Sequence, residues 1–144
     1  EVPAFRGPLV PPARFSVDKV RGSKRWDLVV FRYPVDPTTY YVKRVVGMPG
    51  ERVEIREGGI WINGKWAALP RELAGLEYTD GSQGGYRPPE FVTSWQLTDN
   101  EYIVLGDFSA KSSDSRLWGP VPTENMVGVV QCIYWPPARC RWFE

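Results

Sequence analysis

Histidine is absent from this 144-residue chain. Without it, Ser-His-Asp and Cys-His triads, histidine-ligated metals and the usual general base near neutral pH are unavailable. A hydrolase built on this sequence must use another base, and the options are a lysine or a carboxylate. The formal net charge is only +1, and no basic stripe is interleaved with aromatic residues. We therefore predict no nucleic-acid partner.

Long apolar runs are also missing, so no segment of the sequence is suited to crossing a bilayer. The chain begins at Glu1 and not at Met. We therefore expect a fragment or a processed form, with any membrane anchor upstream of Glu1.

Cysteine is scarce, and its two occurrences, Cys132 and Cys140, lie close together in the sequence. If residues 135–138 form a turn, the two cysteines face each other on the arms of a hairpin, within reach of a disulfide. Two buried free thiols are the alternative. A metal site is not predicted from two cysteines and no histidine.

Glycine and proline are plentiful, at 14 each, and 42% of the residues are hydrophobic. This composition predicts one folded domain over residues 1–144, made of short strands and turns with very little helix. Residues 66–100 read as an inserted, loop-rich excursion, and residues 70–76 and 122–126 as single helical turns. The predicted strands are 14–19, 26–33, 40–46, 52–56, 60–62, 101–105, 127–134 and 139–143, the last two forming a closing hairpin.

Lys43 lies in the predicted strand 40–46. Alternation places it on the face of Tyr41 and Val45, and places Arg44 on the opposite face, so one of the two cations should point toward packed surface. A lysine in apolar surroundings has a lowered pKa and can act as a general base. A lone strand lysine is more often a solvent-facing residue that blunts an edge.

The segment 106–119 is a second unusual feature, with four serines, two aspartates and an arginine between two glycines. Asp114 and Arg116 are two residues apart and can pair within a turn, which would hold the loop rigid. A serine of this loop could also orient a lysine amine. Composition alone is equally compatible with a solvated surface loop.

The two segments together are more specific. Tyr41-Val-Lys-Arg-Val-Val-Gly-Met-Pro-Gly-Glu51 and Gly106-Asp-x-x-x-x-Ser-Ser-Asp-Ser-Arg-x-Trp-Gly-x-Val-Pro122 resemble two signature boxes of the bacterial type I signal peptidases, of peptidase family S26. The strand 25–34 resembles a third, leading into the lysine box. The resemblance covers most of residues 26–134 in the right order.

The resemblance implies a membrane-anchored serine endopeptidase, built from antiparallel β-sheets, that removes signal peptides on the extracytoplasmic side of the membrane. It implies that Lys43 is the general base, that Ser112 orients the lysine, that Asp114 and Arg116 form a supporting ion pair, and that Asp107 is a structural aspartate. It implies no metal and no cofactor. The chain departs from the family at Phe108, where members carry asparagine.

The nucleophile box is the part that does not match. Aligning residues 14–19 with the strand that follows this box places Ala4 at the nucleophile position, and alanine has no hydroxyl to attack with. Three explanations remain open: a natural inactive relative, a true serine box upstream of Glu1, or another serine in the role. Ser16 and Ser23 are poor candidates for that role because neither lies in a recognisable box.

Two further functions stay open beside the peptidase. A chain that kept the fold and lost catalysis would be a binding or structural module whose cleft holds an extended, signal-peptide-like segment. A LexA-like self-cleaving protein uses similar Ser/Lys chemistry, but the sequence contains no DNA-binding module and carries the full 106–119 box.

Overall fold

The computed structural model describes residues 14–18, 22–80, 91–109, 112–135 and 141–142. Ala4 and Cys140, which carry the nucleophile prediction and half of the disulfide prediction, lie outside these residues. Both predictions therefore remain predictions.

Strands are the main regular elements of the described chain. In chain order they are β1 (Arg14–Asp18), β2 (Leu28–Arg32), β3 (Tyr40–Gly47), β4 (Arg52–Arg56), β5 (Gly59–Ile62), β6 (Lys65–Trp66), β7 (Ser94–Gln96), β8 (Glu101–Leu105), β9 (Val121–Pro122), β10 (Met126–Trp135) and β11 (Arg141–Trp142).

These strands form two antiparallel sheets. The larger has the order β1-β10-β2-β3-β8-β9, with β11 also pairing with β10. The smaller has the order β6-β5-β4-β7. The predicted fold class, mostly β with antiparallel sheets and little helix, is confirmed. The extension of the fold to a single domain over residues 1–144 stays a prediction.

The two sheets meet at the end of β3. Val46 from this strand packs in one buried cluster with Val53 of β4 and Ile103 of β8. A Cβ on Gly47 would lie 2.6 Å from Val53 Cγ2 and 3.0 Å from Ile103 Cβ, so only glycine fits where the sheets approach. The other face of the large sheet holds a second cluster around Val29, Val45 and Val104.

Tight turns join the strands of the smaller sheet. Asn63 and Gly64 have φ values of 51° and 81°, the left-handed pair expected for a two-residue hairpin turn between β5 and β6. The same pattern recurs between β4 and β5. An Asn-Gly pair is the common sequence signature of such a turn, so this hairpin is encoded locally.

Three local predictions need correction. The strand expected over 26–33 is shorter, because Trp26 has a left-handed φ of 74° and cannot continue a strand. The inserted excursion contains β7, which pairs with β4. The 106–119 segment is not all loop: α1 (Ser115–Trp118) is one helical turn, capped by the Asp114 carboxylate, which accepts a hydrogen bond from the Arg116 amide.

The two helical turns predicted elsewhere are present as 3-10 turns at Arg71–Leu73 and Thr123–Asn125. Within the described ranges, no helix is long and apolar enough to cross a membrane.

Candidate active site

Lys43 lies in the middle of β3, the central strand that pairs with both β2 and β8. Its side chain faces the cluster that contains Val45, as alternation predicts, and the residue is only 4% exposed. The sequence predicted that one of the two adjacent cations is buried, and the structure buries both. Arg44, on the opposite face, is 3% exposed, because β3 is covered on both faces.

Ser112 lies directly beside the lysine amine. Lys43 Nζ is 3.2 Å from Ser112 Oγ, across 69 positions of sequence. The absence of a side chain on Gly106 makes this contact possible, since a Cβ there would collide with the Ser112 side chain and lie 3.5 Å from Lys43 Nζ. The glycine at the start of the loop is thus a steric requirement of the lysine–serine pair.

The surroundings of Lys43 lower the pKa of its amine. Burial is the largest cause, because it disfavours the charged form, and the Arg116 guanidinium acts in the same direction. The Asp114 and Asp107 carboxylates oppose the shift but do not cancel it. The neutral amine that a general base requires is therefore favoured at a lower pH than in an ordinary lysine.

Asp114 and Arg116 form a fully buried ion pair, each side chain being 0% exposed. Arg116 Nε donates to Asp114 Oδ1 at 2.9 Å and Nη2 donates to Oδ2 at 2.8 Å. Asp114 Oδ2 also accepts a hydrogen bond from the Gly106 amide at 3.1 Å. The pair ties the C-terminal part of the loop to the end of β8, directly behind the lysine.

The remaining Arg116 donors reach Ser109 and Thr79. Nη1 donates to Ser109 Oγ and to the Thr79 carbonyl, both at 2.9 Å, and Nη2 donates to the Ser109 carbonyl at 2.6 Å. All five guanidinium N–H groups therefore have acceptors, which is what a buried arginine needs. The charge is held in one orientation by both the loop and the excursion.

Asp107 forms a second buried ion pair with Arg44. Nε and Nη2 of Arg44 donate to the two Asp107 oxygens, each at 2.7 Å, and Nη1 donates to the Trp26 carbonyl at 2.7 Å. This pairing gives Asp107 a structural contact on the face of β3 opposite Lys43.

Arg44 and Ser109 are absent from the sequence-predicted site. The sequence did contain a signal for Arg44. Alternation places Arg44 and Lys43 on opposite faces of β3, so if both faces of the strand are covered, both side chains are buried. No pattern singled out Ser109 among the four serines of its loop, because its role depends on Thr79, which lies 30 positions away.

The described geometry brings together five of the predicted residues, of which all but the half-buried Ser112 are buried: Lys43, Ser112, Asp114, Arg116 and Asp107. Cys132 lies apart from it, buried in β10, the strand at the other side of β2. Its thiol is free in the structure, and the residue opposite it on β11 is Trp142. The expected partner Cys140 lies outside the described residues.

Comparison with known proteins bears on the family of the chain. A family model described as signal peptidase, peptidase S26, matches residues 8–135. A probable signal peptidase I-2 of Synechocystis sp. is 30% identical, with 84% of this chain and 52% of the relative aligned. Signal peptidase I of Pseudomonas fluorescens is 32% identical, with 92% of this chain and 57% of the relative aligned.

The fold has a solved counterpart as well. The crystal structure of a signal peptidase I from Enterococcus faecalis matches with a TM-score of 0.57 and 26% identity, over 76% of this chain and 97% of that chain. The antiparallel β fold is thus shared with a solved signal peptidase I. The chain belongs to the signal peptidase family, peptidase S26. It spans about half the length of the two curated relatives.

Proposed function

We propose that this chain is the peptidase domain of a signal-peptidase-like protein, with Lys43 as the general base of a serine/lysine site. The observation that carries the proposal is the buried lysine amine 3.2 Å from Ser112 Oγ. The surface lysine expected from composition alone would be exposed and mobile, whereas this amine is enclosed, oriented and has a lowered pKa.

The chemistry assigned to each group follows from this geometry. Neutral Lys43 accepts the proton of a serine hydroxyl as the oxygen attacks the scissile carbonyl, and the resulting oxyanion is stabilised by backbone amides. The lysine then returns the proton to the leaving amine, and water hydrolyses the acyl ester. Ser112 holds the amine in line, while Asp114 and Arg116 hold the loop that carries Ser112.

The nucleophile is what this chain lacks in the assigned register, because Ala4 occupies the position. The family match begins at residue 8, downstream of Ala4. We therefore propose that the chain as written binds an extended peptide without cleaving it, and that a serine at position 4 would restore turnover. The alternative is a serine box upstream of Glu1.

The proposed partner is an extended, signal-peptide-like segment with small side chains near the cut, added as a strand at the site. The proposed location is the extracytoplasmic side of a membrane, reached through an anchor upstream of Glu1. Curated relatives named signal peptidase I support the substrate class.

The test is cleavage of a preprotein by the chain as it stands and by Ala4→Ser. We expect no cleavage from the former and cleavage from the latter, since the base is already in place. Ala4→Ser combined with Lys43→Met is the matched control and should be inactive, because the serine then has no base.

Two results would contradict the proposal in different ways. Cleavage by the unmodified chain would show that the nucleophile lies elsewhere and that the register of Ala4 is wrong. Activity of the Ala4→Ser variant that persists without the Lys43 amine would remove Lys43 from the role of base.

A further inference from the structure

Ser109 occupies an unusual place behind the proposed site. The residue is only 7% exposed, and its hydroxyl oxygen accepts two hydrogen bonds, from Arg116 Nη1 at 2.9 Å and from the Thr79 amide at 3.0 Å. Its carbonyl accepts a third, from Arg116 Nη2 at 2.6 Å. One small residue thus joins the excursion to the buried arginine.

We infer that Ser109 is a positioning residue for the Lys43 base, acting through Arg116 and Asp114. The inference rests on the proposed function, and it concerns a residue outside the lysine–serine pair and its ion pair.

The path from Ser109 to the amine consists of direct contacts. Ser109 holds one edge of the Arg116 guanidinium, and Asp114 holds the other in a two-point ion pair. Asp114 binds the Gly106 amide, and Gly106 lies where any side chain would strike Ser112. Ser112 in turn contacts Lys43 Nζ. Every link is a direct contact, and all are buried except the half-buried contact between Ser112 and Lys43.

Residues of the excursion make further contacts with Arg116. The Thr79 carbonyl accepts from Arg116 Nη1, the Val92 amide donates to the Arg116 carbonyl at 2.9 Å, and the Phe91 ring lies 5.1 Å from the guanidinium carbon. Thr79 and Val92 contact Arg116 through backbone atoms. Ser109 is the member of this set whose side-chain hydrogen bond to Arg116 can be removed without altering a charge or an aromatic ring.

Removing the Ser109 hydroxyl leaves Arg116 Nη1 and the Thr79 amide each short of an acceptor. Buried donors in that position recruit water or shift toward another acceptor. Either response moves the guanidinium away from its present position and makes the surroundings of Lys43 more polar. Burial and Arg116 both lower the pKa of Lys43, so both changes should raise it.

Among the described residues, the charged groups that shift the pKa of the amine come from the loop after β8. Asp107, Asp114 and Arg116 lie in the 106–119 segment, and Arg44, adjacent on β3, pairs with Asp107. A Ser109 substitution removes none of these four charged residues. A change in the Lys43 titration would therefore report a change in their positions and not a change in the number of charges.

The experiment is an NMR titration of the full chain labelled with ¹³C at the lysine Cε. Loss of a signal in Lys43→Met assigns the Lys43 resonance, and exposed Lys65 is the internal reference. We compare the unmodified chain with Ser109→Ala, with Ser109→Thr, which keeps the hydroxyl, and with Ser113→Ala, an exposed serine of the same loop.

In the unmodified chain, Lys43 should titrate at lower pH than an ordinary lysine side chain. In Ser109→Ala its midpoint should rise by about half a pH unit or more, which is about threefold less neutral amine at neutral pH. Ser109→Thr and Ser113→Ala should keep the parent midpoint. If Ser109→Ala fails to fold, Ser109→Cys provides the same volume with a poor acceptor and should show the same rise.

The contrary outcomes are distinguishable. A Ser109→Ala midpoint equal to the parent value overturns the role of Ser109 and leaves the proposed function standing. A parent in which Lys43 titrates like an ordinary lysine side chain overturns Lys43 as the proposed base and, with it, the positioning role.

Discussion

At the scale of single residues, β3 carries two consecutive cations that are both buried. Lys43 and Arg44 point to opposite faces of a central strand, and each is at most 4% exposed. Arg44 is compensated by a two-point ion pair with Asp107. Lys43 contacts a hydroxyl and, among the residues that the structure describes, no carboxylate within ion-pair distance. The lysine therefore carries an uncompensated burial cost that the arginine does not.

This cost makes a prediction for Lys43→Met, which replaces the amine by an apolar side chain of similar length. The pKa of Lys43 is lower in the folded state than in the unfolded state, so between the two values the unfolded state binds more protons and the stability of the parent rises with pH. The variant should be more stable than the parent by about 1 kcal/mol at neutral pH. The gain should shrink as pH approaches about 10.4.

Urea unfolding at several pH values measures this difference. Lys65→Met is the matched control, because Lys65 is exposed in β6 and its substitution should give no pH-dependent change. A Lys43→Met variant that is less stable than the parent at every pH would show that the amine stabilises the fold, contrary to the assignment.

At the scale of elements, the 106–119 segment is anchored on both sides of β3 by buried charges. Asp107 binds Arg44 on one face, and Ser112 contacts Lys43 on the other. Asp114 pairs with Arg116 and accepts a hydrogen bond from the Gly106 amide. Pairs in the second sheet are of another kind, since Arg52 and Glu54 are 3.4 Å apart with side chains 54% and 26% exposed. We therefore expect an arginine–carboxylate pair to contribute very differently to stability in the two places.

Asp107→Asn should be strongly destabilising, by roughly 3 kcal/mol or more, because it leaves the buried Arg44 charge without its counterion. Glu54→Gln is the matched control and should change stability by less than about 0.5 kcal/mol, since exposed ion pairs contribute little. Thermal or urea unfolding of the two variants compares these values directly. Equal effects from the two substitutions would show that the Arg44 pair is not the anchor described.

At the scale of the whole molecule, the two sheets share one buried cluster. Leu105 of β8 in the larger sheet packs with Ile55 of β4 and Ile60 of β5 in the smaller one, together with Tyr78 from the excursion. Because neither sheet covers this cluster alone, we expect them to unfold together. The single-domain prediction becomes testable in this form.

Ile60→Val removes one buried methylene from the smaller sheet and should cost about 1 kcal/mol. Native-state hydrogen exchange measures the free energy of opening for each amide. This free energy should fall equally for the slowest amides of β2, in the larger sheet, and for those of β4. Val35→Ala, at a site 68% exposed, should leave both unchanged. A loss confined to β4 would show that the sheets unfold separately and that the chain is not one cooperative unit.

The sequence predicted the strands well because strand signals are local. The alternation in β4 and the Asn63-Gly64 turn depend on neighbouring residues, and the structure shows both. The short α1 turn was missed because four residues carry no helical period, and its cap is a hydrogen bond within the loop. The strand β7 was missed because its register comes from β4, which lies far away in the sequence.

For the site, sequence alone determined which residue types were available: no histidine, a lysine in a strand, and a serine- and aspartate-rich loop bracketed by glycines. It also determined the family through the order of its boxes. Only the tertiary structure decided that both cations of β3 are buried, that Asp107 pairs with Arg44, and that Ser109 joins Thr79 to Arg116. These facts depend on coverage of β3 from both faces and on contacts between distant segments, which no local pattern encodes.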